Sequence, residues 1–225
     1  MSTNNSDRDK SMIAGLSKGL RLIESFNGAY TRMTQSEVAH RIGVSPAAAR
    51  RSLRTLCALG YAKTDGKLYW LDHGILRLTY AYASSTRMPR LLQPQLDALS
   101  ARARESASVV VLHGSEVLVA ARSTAQRSLT VGLGVGSKLP LHCSATGRVL
   151  LASLPDTKVN TLLNSCSREK LTTFTVTERD KLHQLIRDCR SCGYAMSNEE
   201  IEIGVRSLAV PLFDSRNTTL AALSI

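Results

Sequence analysis

The tightest constraint on this chain lies between Thr34 and Gly60, where two helix starts and two glycines follow one another at short range. Thr34-Gln-Ser-Glu37 has the form of a capping box, in which the Thr34 hydroxyl accepts from the Glu37 amide while the Glu37 carboxylate reaches back. Val38, Ala39 and Ile42 give that helix a short buried face. Gly43 then permits the positive φ that a tight inter-helix turn requires. Ser45-Pro46 restarts the chain as a helix, with Ser45 as N-cap and Pro46 in the first turn, where its missing N–H costs nothing. That second helix is expected to run to Leu59 and to stop at Gly60. Upstream, Leu16, Leu20, Ile23 and Phe26 make one apolar helical stripe that ends at Asn27-Gly28.

The longer helix has two faces. Ala49, Leu53, Leu56 and Cys57 share an inward side, whereas Ala47, Arg50, Arg51 and Arg54 recur at i, i+3, i+4 and i+7 on the other. Small residues beside guanidinium forks suit a helix laid in a major groove, where Arg bonds guanine edges or phosphates. Taken alone, three arginines could equally solvate an exposed face; the capped helix and turn before them favour the first reading. Charge distribution agrees. Residues 1–90 carry 14 Lys+Arg against 6 Asp+Glu, and residues 91–225 carry 15 against 12. No acid falls between Glu37 and Asp65. Such an excess attracts any polyanion, but one Trp, six Tyr and three Phe offer few platforms for stacking single strands. Duplex DNA is the favoured partner. After Gly60, Asp65-Gly66 between two strand-like runs predicts a hairpin with a type I′ turn. Lys63 and Lys67 would flank it along phosphates, or Leu68 and Trp70 would simply close the small core. Helix, helix-turn-helix and hairpin together describe a winged helix, with Thr34, Gln35, Ser45, Ala47, Arg50, Arg51, Arg54, Lys63 and Lys67 as the candidate DNA-binding residues.

Four segments are expected: a disordered tail over 1–12, the winged helix over 13–73, a helical linker and dimerisation element over 74–105, and a sensor domain over 106–225. In the linker, Ile75, Leu76 and Leu78 begin a helix that Pro89 interrupts, and Leu92, Leu96, Leu99 and Ala103 resume it. From Ser108 the period shortens to that of strands: Val109–Leu112, Val117–Ala120 and Leu129–Val131, followed by a loop at Gly132, Gly134 and Gly136. Helices are predicted near 144–153, 156–163 and 178–191, and strands over Ser207–Phe213 and Thr219–Ile225, giving an α+β sheet domain. No GxGxxG opens a helix and no P-loop is present. His142 and Cys143 are adjacent and would diverge, so a Cys–His nucleophile is disfavoured; no GxSxG elbow or HExxH occurs. Glu199, Glu200 and Glu202 read as a turn or pocket wall. Cys57, Cys143, Cys166, Cys189 and Cys192 are too scattered for a disulfide framework, and one CxxC lacks the second half of a zinc site. No catalytic residue, metal or cofactor is expected. Without an apolar leader or an eighteen-residue apolar run, a cytoplasmic protein with no membrane contact is the expectation. The competing readings are a small-molecule-modifying enzyme with a winged-helix appendage, and an architectural DNA binder with a degenerate sensor.

Five stretches in one order resemble the IclR family of bacterial regulators: Leu16-Ser-Lys-Gly-Leu-Arg-Leu-Ile-Glu-Ser-Phe26, Thr34-Gln-Ser-Glu-Val-Ala-His-Arg-Ile-Gly43, Leu56-Cys-Ala-Leu-Gly-Tyr61, Pro140-Leu-His-Cys-Ser-Ala-Thr-Gly-Arg-Val-Leu-Leu-Ala152 and Glu200-Ile-Glu-Ile-Gly-Val-Arg-Ser-Leu-Ala-Val-Pro-Leu-Phe-Asp214. Ala47-Ala-Ala-Arg-Arg51, Tyr61-Ala-Lys-Thr-Asp-Gly66 and Tyr80-Ala-Tyr-Ala-Ser-Ser85 resemble the subgroup that governs protocatechuate, 4-hydroxybenzoate and β-ketoadipate catabolism. The resemblance implies a homodimer or dimer of dimers on operator DNA, a GAF-like α/β effector-binding domain, and control by a small organic or aromatic acid. The coupling expected is a population shift in which the effector changes the spacing of the two recognition helices through residues 74–105. It implies effector contacts at His142, Ser144, Ala145, Thr146 and Gly147 on one side and Glu200, Arg206, Ser207 and Ser224 on the other. A free helix N-terminus and Arg206 both suit a carboxylate, although Arg206 could equally serve a structural ion pair. It further implies that the strand ending at Leu223-Ser-Ile225 continues into a Ser-Gly-Pro-like segment and a final helix, so a truncated C-terminus is expected.

Overall fold

The computed structural model describes residues 12–125 and 133–225. The predicted tail and the predicted strand Leu129–Val131 with Gly132 therefore fall, except for Met12, outside the described residues. The chain divides between Ser85 and Thr86 into two compact units.

The N-terminal unit contains α1 (Ala14–Glu24), β1 (Met33–Thr34), α2 (Gln35–Ile42), α3 (Pro46–Ala58), β2 (Ala62–Thr64), β3 (Leu68–Leu71), a 3-10 turn (His73–Ile75) and α4 (Leu76–Ser85). Its three strands pair in the order β1-β3-β2. Leu22, Met33, Val38, Ala39, Ile42, Ala49, Leu53, Leu56 and Ala62 form the core, with Ile23, Phe26, Cys57, Tyr61 and Tyr69 packed around them. The inward side of α1 is rotated from the predicted stripe. Leu22 is fully buried, while Leu16 and Leu20 are exposed. Gly15, Lys18 and Gly19 line a groove against α3 instead. The wing also departs from expectation. Strand pairing runs Thr64↔Tyr69 and Asp65 N–H bonds the Leu68 carbonyl, so the turn centres on Gly66-Lys67, not on Asp65-Gly66. Only Gly66 has positive φ, at 99°, the pattern of a turn with glycine first. The Asp65 carboxylate accepts from the Lys67 and Leu68 amides at 2.9 and 2.8 Å, which ties it to the far side of the turn. Tyr69, not Leu68 or Trp70, joins the core; Trp70 lies beneath the Arg32 guanidinium, 4.2 Å away. Where the wing leaves, a Cβ on Gly74 would collide with the Gly60 carbonyl, and Arg77 donates to the Leu59 carbonyl at 2.7 Å.

The C-terminal unit is built from α5 (Arg87–Ala103), β4 (Ala107–His113), β5 (Glu116–Ser123), β6 (Lys138–Leu139), α6 (Ala145–Ala152), α7 (Asp156–Ser165), α8 (Arg179–Cys192), β7 (Ala195–Asn198), β8 (Arg206–Phe213) and β9 (Thr219–Ser224). The strands make one antiparallel sheet in the order β6-β5-β4-β9-β8-β7. Period-two alternation sorts its residues into two layers. Val110, Val117, Ala209 and Ala222 pack under α6, α7 and α8, whereas Ala107, Val109, Ala121 and Ala221 pack against Leu96 of α5. Pro89 does not interrupt the linker helix. It sits in the first turn of α5, where a missing N–H is harmless, and the break falls at extended Thr86. The short strands β1, β6 and β7 carry too few residues for a pattern to show in sequence.

Candidate nucleic-acid interface and sensor cavity

The turn joining α2 and α3 is built as its residues suggest. Thr34 Oγ1 accepts from the Glu37 amide at 3.3 Å, and Glu37 Oε2 accepts from the Thr34 amide at 2.7 Å. The Thr34 amide first, and then the Thr34 hydroxyl donating to Glu37 Oε2 at 2.8 Å, hold the Glu37 carboxyl below the usual range. Gly43 takes φ 66°, Ser45 Oγ accepts from the Ala48 amide at 3.3 Å, and Gln35 Nε2 donates to the Pro46 carbonyl at 3.1 Å. Thr34, Gln35 and Ser45 are thus occupied in fixing the angle at which α3 emerges. Ala47, Arg50, Arg51 and Arg54 are all exposed, and among the described residues the three guanidinium groups make no hydrogen bond or ion pair. They form an unspent row of donors. Lys67 stands in the turn of the wing, exposed; Lys63 is held to Asp72 at 3.0 Å. Arg41, counted in the basic excess, stacks on Tyr30 at 3.7 Å.

The nine expected effector residues separate into two groups. Ser144, Thr146, Arg206, Ser207 and Ser224 line one cavity of about 160 Å³ inside the C-terminal unit. Ser144 caps α6, accepting from the Gly147 amide at 3.0 Å. Arg206 is at the rim, its side chain 69% exposed and 3.4 Å from Glu199. The other four do not line this cavity. His142 is buried with Nε2 3.1 Å from the Glu169 carbonyl and borders a separate depression beside Cys166. Burial, first of all, holds its pKa below the usual value, opposed by that hydrogen bond. Ala145 is buried in the first turn of α6, and Gly147 passes so near the Leu141 carbonyl that a Cβ would overlap it. Glu200 is spent on Arg148: two bonds of 2.6 Å join the carboxylate and guanidinium oxygens and nitrogens in a fork, and the side chains are 8% and 3% exposed. The Val176 amide adds a third bond to Glu200 at 3.2 Å. One arginine inside an otherwise uncharged helix was the signal for this pair. Next to it, burial pushes the Cys143 thiol up to about 12, so it stays protonated and poorly nucleophilic.

The cavity also contains residues that sequence reasoning missed. Ser106, Ser108 and Arg122 line it, and Arg122 Nη1 donates to Ser108 Oγ at 3.0 Å. Ser106 Oγ and Thr146 Oγ1 are buried without a hydrogen-bond partner among the described residues. No group of three His, Cys, Asp or Glu among those residues is close enough to hold a metal, and none of their helices is long and apolar enough to cross a membrane.

Comparison with known proteins agrees along the whole length. Residues 15–66 match the IclR helix-turn-helix domain, and residues 80–225 match the bacterial transcriptional regulator IclR C-terminal family. The chain is 37% identical to the Pca regulon regulatory protein of Pseudomonas putida, over 96% of this chain and 75% of that one. It is likewise 37% identical to the p-hydroxybenzoate hydroxylase transcriptional activator of Acinetobacter baylyi, over 96% and 82%. Among solved structures, an IclR family transcriptional regulator from Brucella abortus aligns with TM-score 0.81 at 26% identity, covering 100% of this chain and 85% of that one. An IclR homologue from Microbacterium hydrocarbonoxydans complexed with 4-hydroxybenzoate aligns with TM-score 0.76 at 26% identity, covering 94% and 88%. With both family models matched in order, over the helix-turn-helix unit and over the sheet domain, the chain belongs to the IclR family of DNA-binding bacterial transcriptional regulators.

Proposed function

We propose that this regulator controls genes of aromatic acid catabolism by binding operator DNA as a homodimer or dimer of dimers, with a small aromatic or keto acid as effector. The observation that carries the effector class is the cavity lining: two arginines, six hydroxyl side chains and a helix start, with two glutamates exposed at the rim, around a space of about 160 Å³. That is well below the ~300–1,000 Å³ of drug-sized sites, so it suits a one-ring or short-chain acid. The relatives regulating pca and p-hydroxybenzoate genes, and the relative complexed with 4-hydroxybenzoate, support the same class. Protocatechuate, 4-hydroxybenzoate and β-ketoadipate are the acids to try. For the dimer, α4 supplies exposed Leu76, Leu78, Tyr80 and Tyr82 and buries none of its own residues, which suits a pairing face. Two copies would match paired half-sites. The protein would act in the cytoplasm.

Fluorescence anisotropy on DNA from upstream of the protein's own gene, against a scrambled duplex at about 150 mM salt, tests this, because lower salt exaggerates non-specific binding. A preference of roughly a thousandfold, altered by one of the three acids, is expected. Arg50→Ala/Arg51→Ala should lose about 1–3 kcal/mol for each bidentate base contact. Equal, salt-sensitive binding to both duplexes, unmoved by any acid, would sink the proposal.

A further inference from the structure

We propose that Arg122, not Arg206, is the residue that selects an acidic effector, and that Thr146 reads a second polar group on the same molecule; this rests on the cavity being the effector site. Arg122, Ser108 and Ser224 lie in one row across β5, β4 and β9, set by the backbone registers Ser108↔Arg122 and Ser108↔Ser224. One step further along the same face stand Val110 and Ala222, which close the core beneath α6. Replacing such apolar residues by two serines opens room over the sheet and leaves a hydroxyl floor. Arg122 lies at one end of that floor, steadied by two bonds: Nη1 to Ser108 Oγ at 3.0 Å, and its carbonyl accepting from Gln93 Nε2 of α5 at 3.1 Å.

The other charged lining residues, Glu105, Glu202 and Arg206, are exposed at the rim. Among the described residues Arg122 is the only cationic lining side chain that is not exposed. A charge partly withdrawn from water interacts with a carboxylate more strongly than one at the surface, and a guanidinium fork fits a carboxylate in two bonds. Arg206 is weaker on the first count, because its side chain is 69% exposed to solvent. Opposite the floor, Thr146 sits in the first turn of α6, 3% exposed, with Oγ1 unpartnered. A buried hydroxyl left without a bond has a partner to gain, and a ring hydroxyl distal to the carboxylate supplies one.

Isothermal titration of the full chain with 4-hydroxybenzoate and with benzoate decides the matter. Arg122→Gln should weaken both acids by about 30-fold or more, the cost of a lost charged hydrogen-bond pair, at an unchanged melting temperature. Arg206→Gln should shift either acid by less than about threefold, as for an exposed pair. Thr146→Val should weaken 4-hydroxybenzoate about fivefold and leave benzoate alone. A large loss in Arg206→Gln, or wild-type affinity in Arg122→Gln, overturns the assignment. If Arg122→Gln melts early, Thr146→Val decides instead, and equal effects on both acids count against it. A wild-type protein that binds neither these two acids nor protocatechuate or β-ketoadipate overturns the reading of the cavity itself, which is a separate result.

Discussion

Two arginine sets in this molecule show opposite uses of one side chain. On α3, Arg50, Arg51 and Arg54 face solvent with all their donors unspent. On α6, Arg148 is buried, and its Nη1 and Nη2 donate to the Glu200 carboxylate, with Nη1 also donating to the Met196 carbonyl at 2.9 Å. Sequence spacing places both sets on helices. Only the neighbours distinguish them. The first set is available to a partner and contributes little to its own fold. The second ties α6 to the segment before β8, with Thr175 Oγ1 donating to the Glu200 carbonyl at 2.6 Å and Ser197 Oγ to the Cys143 carbonyl at 2.7 Å. A guanidinium is therefore a reader or a fastener according to whether water or a carboxylate meets it first.

The contrast can be broken in three ways. Arg148→Ala should cost about 3–5 kcal/mol, because it leaves Glu200 charged and buried, read as a shifted urea midpoint of the C-terminal unit. Arg148→Met/Glu200→Leu should recover most of that loss. A single-variant cost under about 1 kcal/mol would mean the pair is not a fastener. A smaller effect is expected from acid. The folded-state pKa of His142 lies below its unfolded value through burial. Its contribution is therefore fully present above about pH 6.5 and is lost as pH falls through the folded value. Melts from pH 7.5 to 5 should show wild type losing more stability than His142→Gln, and identical slopes would exclude the histidine as a source of acid sensitivity. The smallest effect belongs to α3. Arg50→Ala/Arg51→Ala/Arg54→Ala should change unfolding free energy by no more than about 0.5 kcal/mol per site; a real loss there would mean those side chains hold the fold after all.

The helix-turn-helix was legible because its signals are local. Thr34 with Glu37, Gly43, and Ser45 with Pro46 each act within one turn of chain, and their bonds form at the expected atoms. The wing was legible as a hairpin but not in detail, since the Asp65 carboxylate captures two amides and moves the turn by one residue. Pro89 misled because a proline signals a boundary without saying on which side the helix lies. The cavity was half legible. Ser144 and Thr146 stand at a recognisable helix start, but Arg122 meets Ser108 and Ser224 only through strand register, which no short pattern encodes. Glu200 was drawn into the expected site by its place at the start of the family-like stretch Glu200–Asp214, while its true partner, Arg148, lies 52 residues away.

The contact between Gly60 and Gly74 bears on how such a regulator can diverge. With the Gly60 carbonyl where a Cβ of residue 74 would stand, and Gly60 itself at φ 74°, neither position accepts a side chain without strain. The exit of the wing is thereby locked to the end of α3. Positions 47, 50, 51 and 54 carry no such burden, each being exposed. A lineage can rewrite its target sequence one codon at a time on α3, while the hinge of glycines that presents that helix is closed to drift.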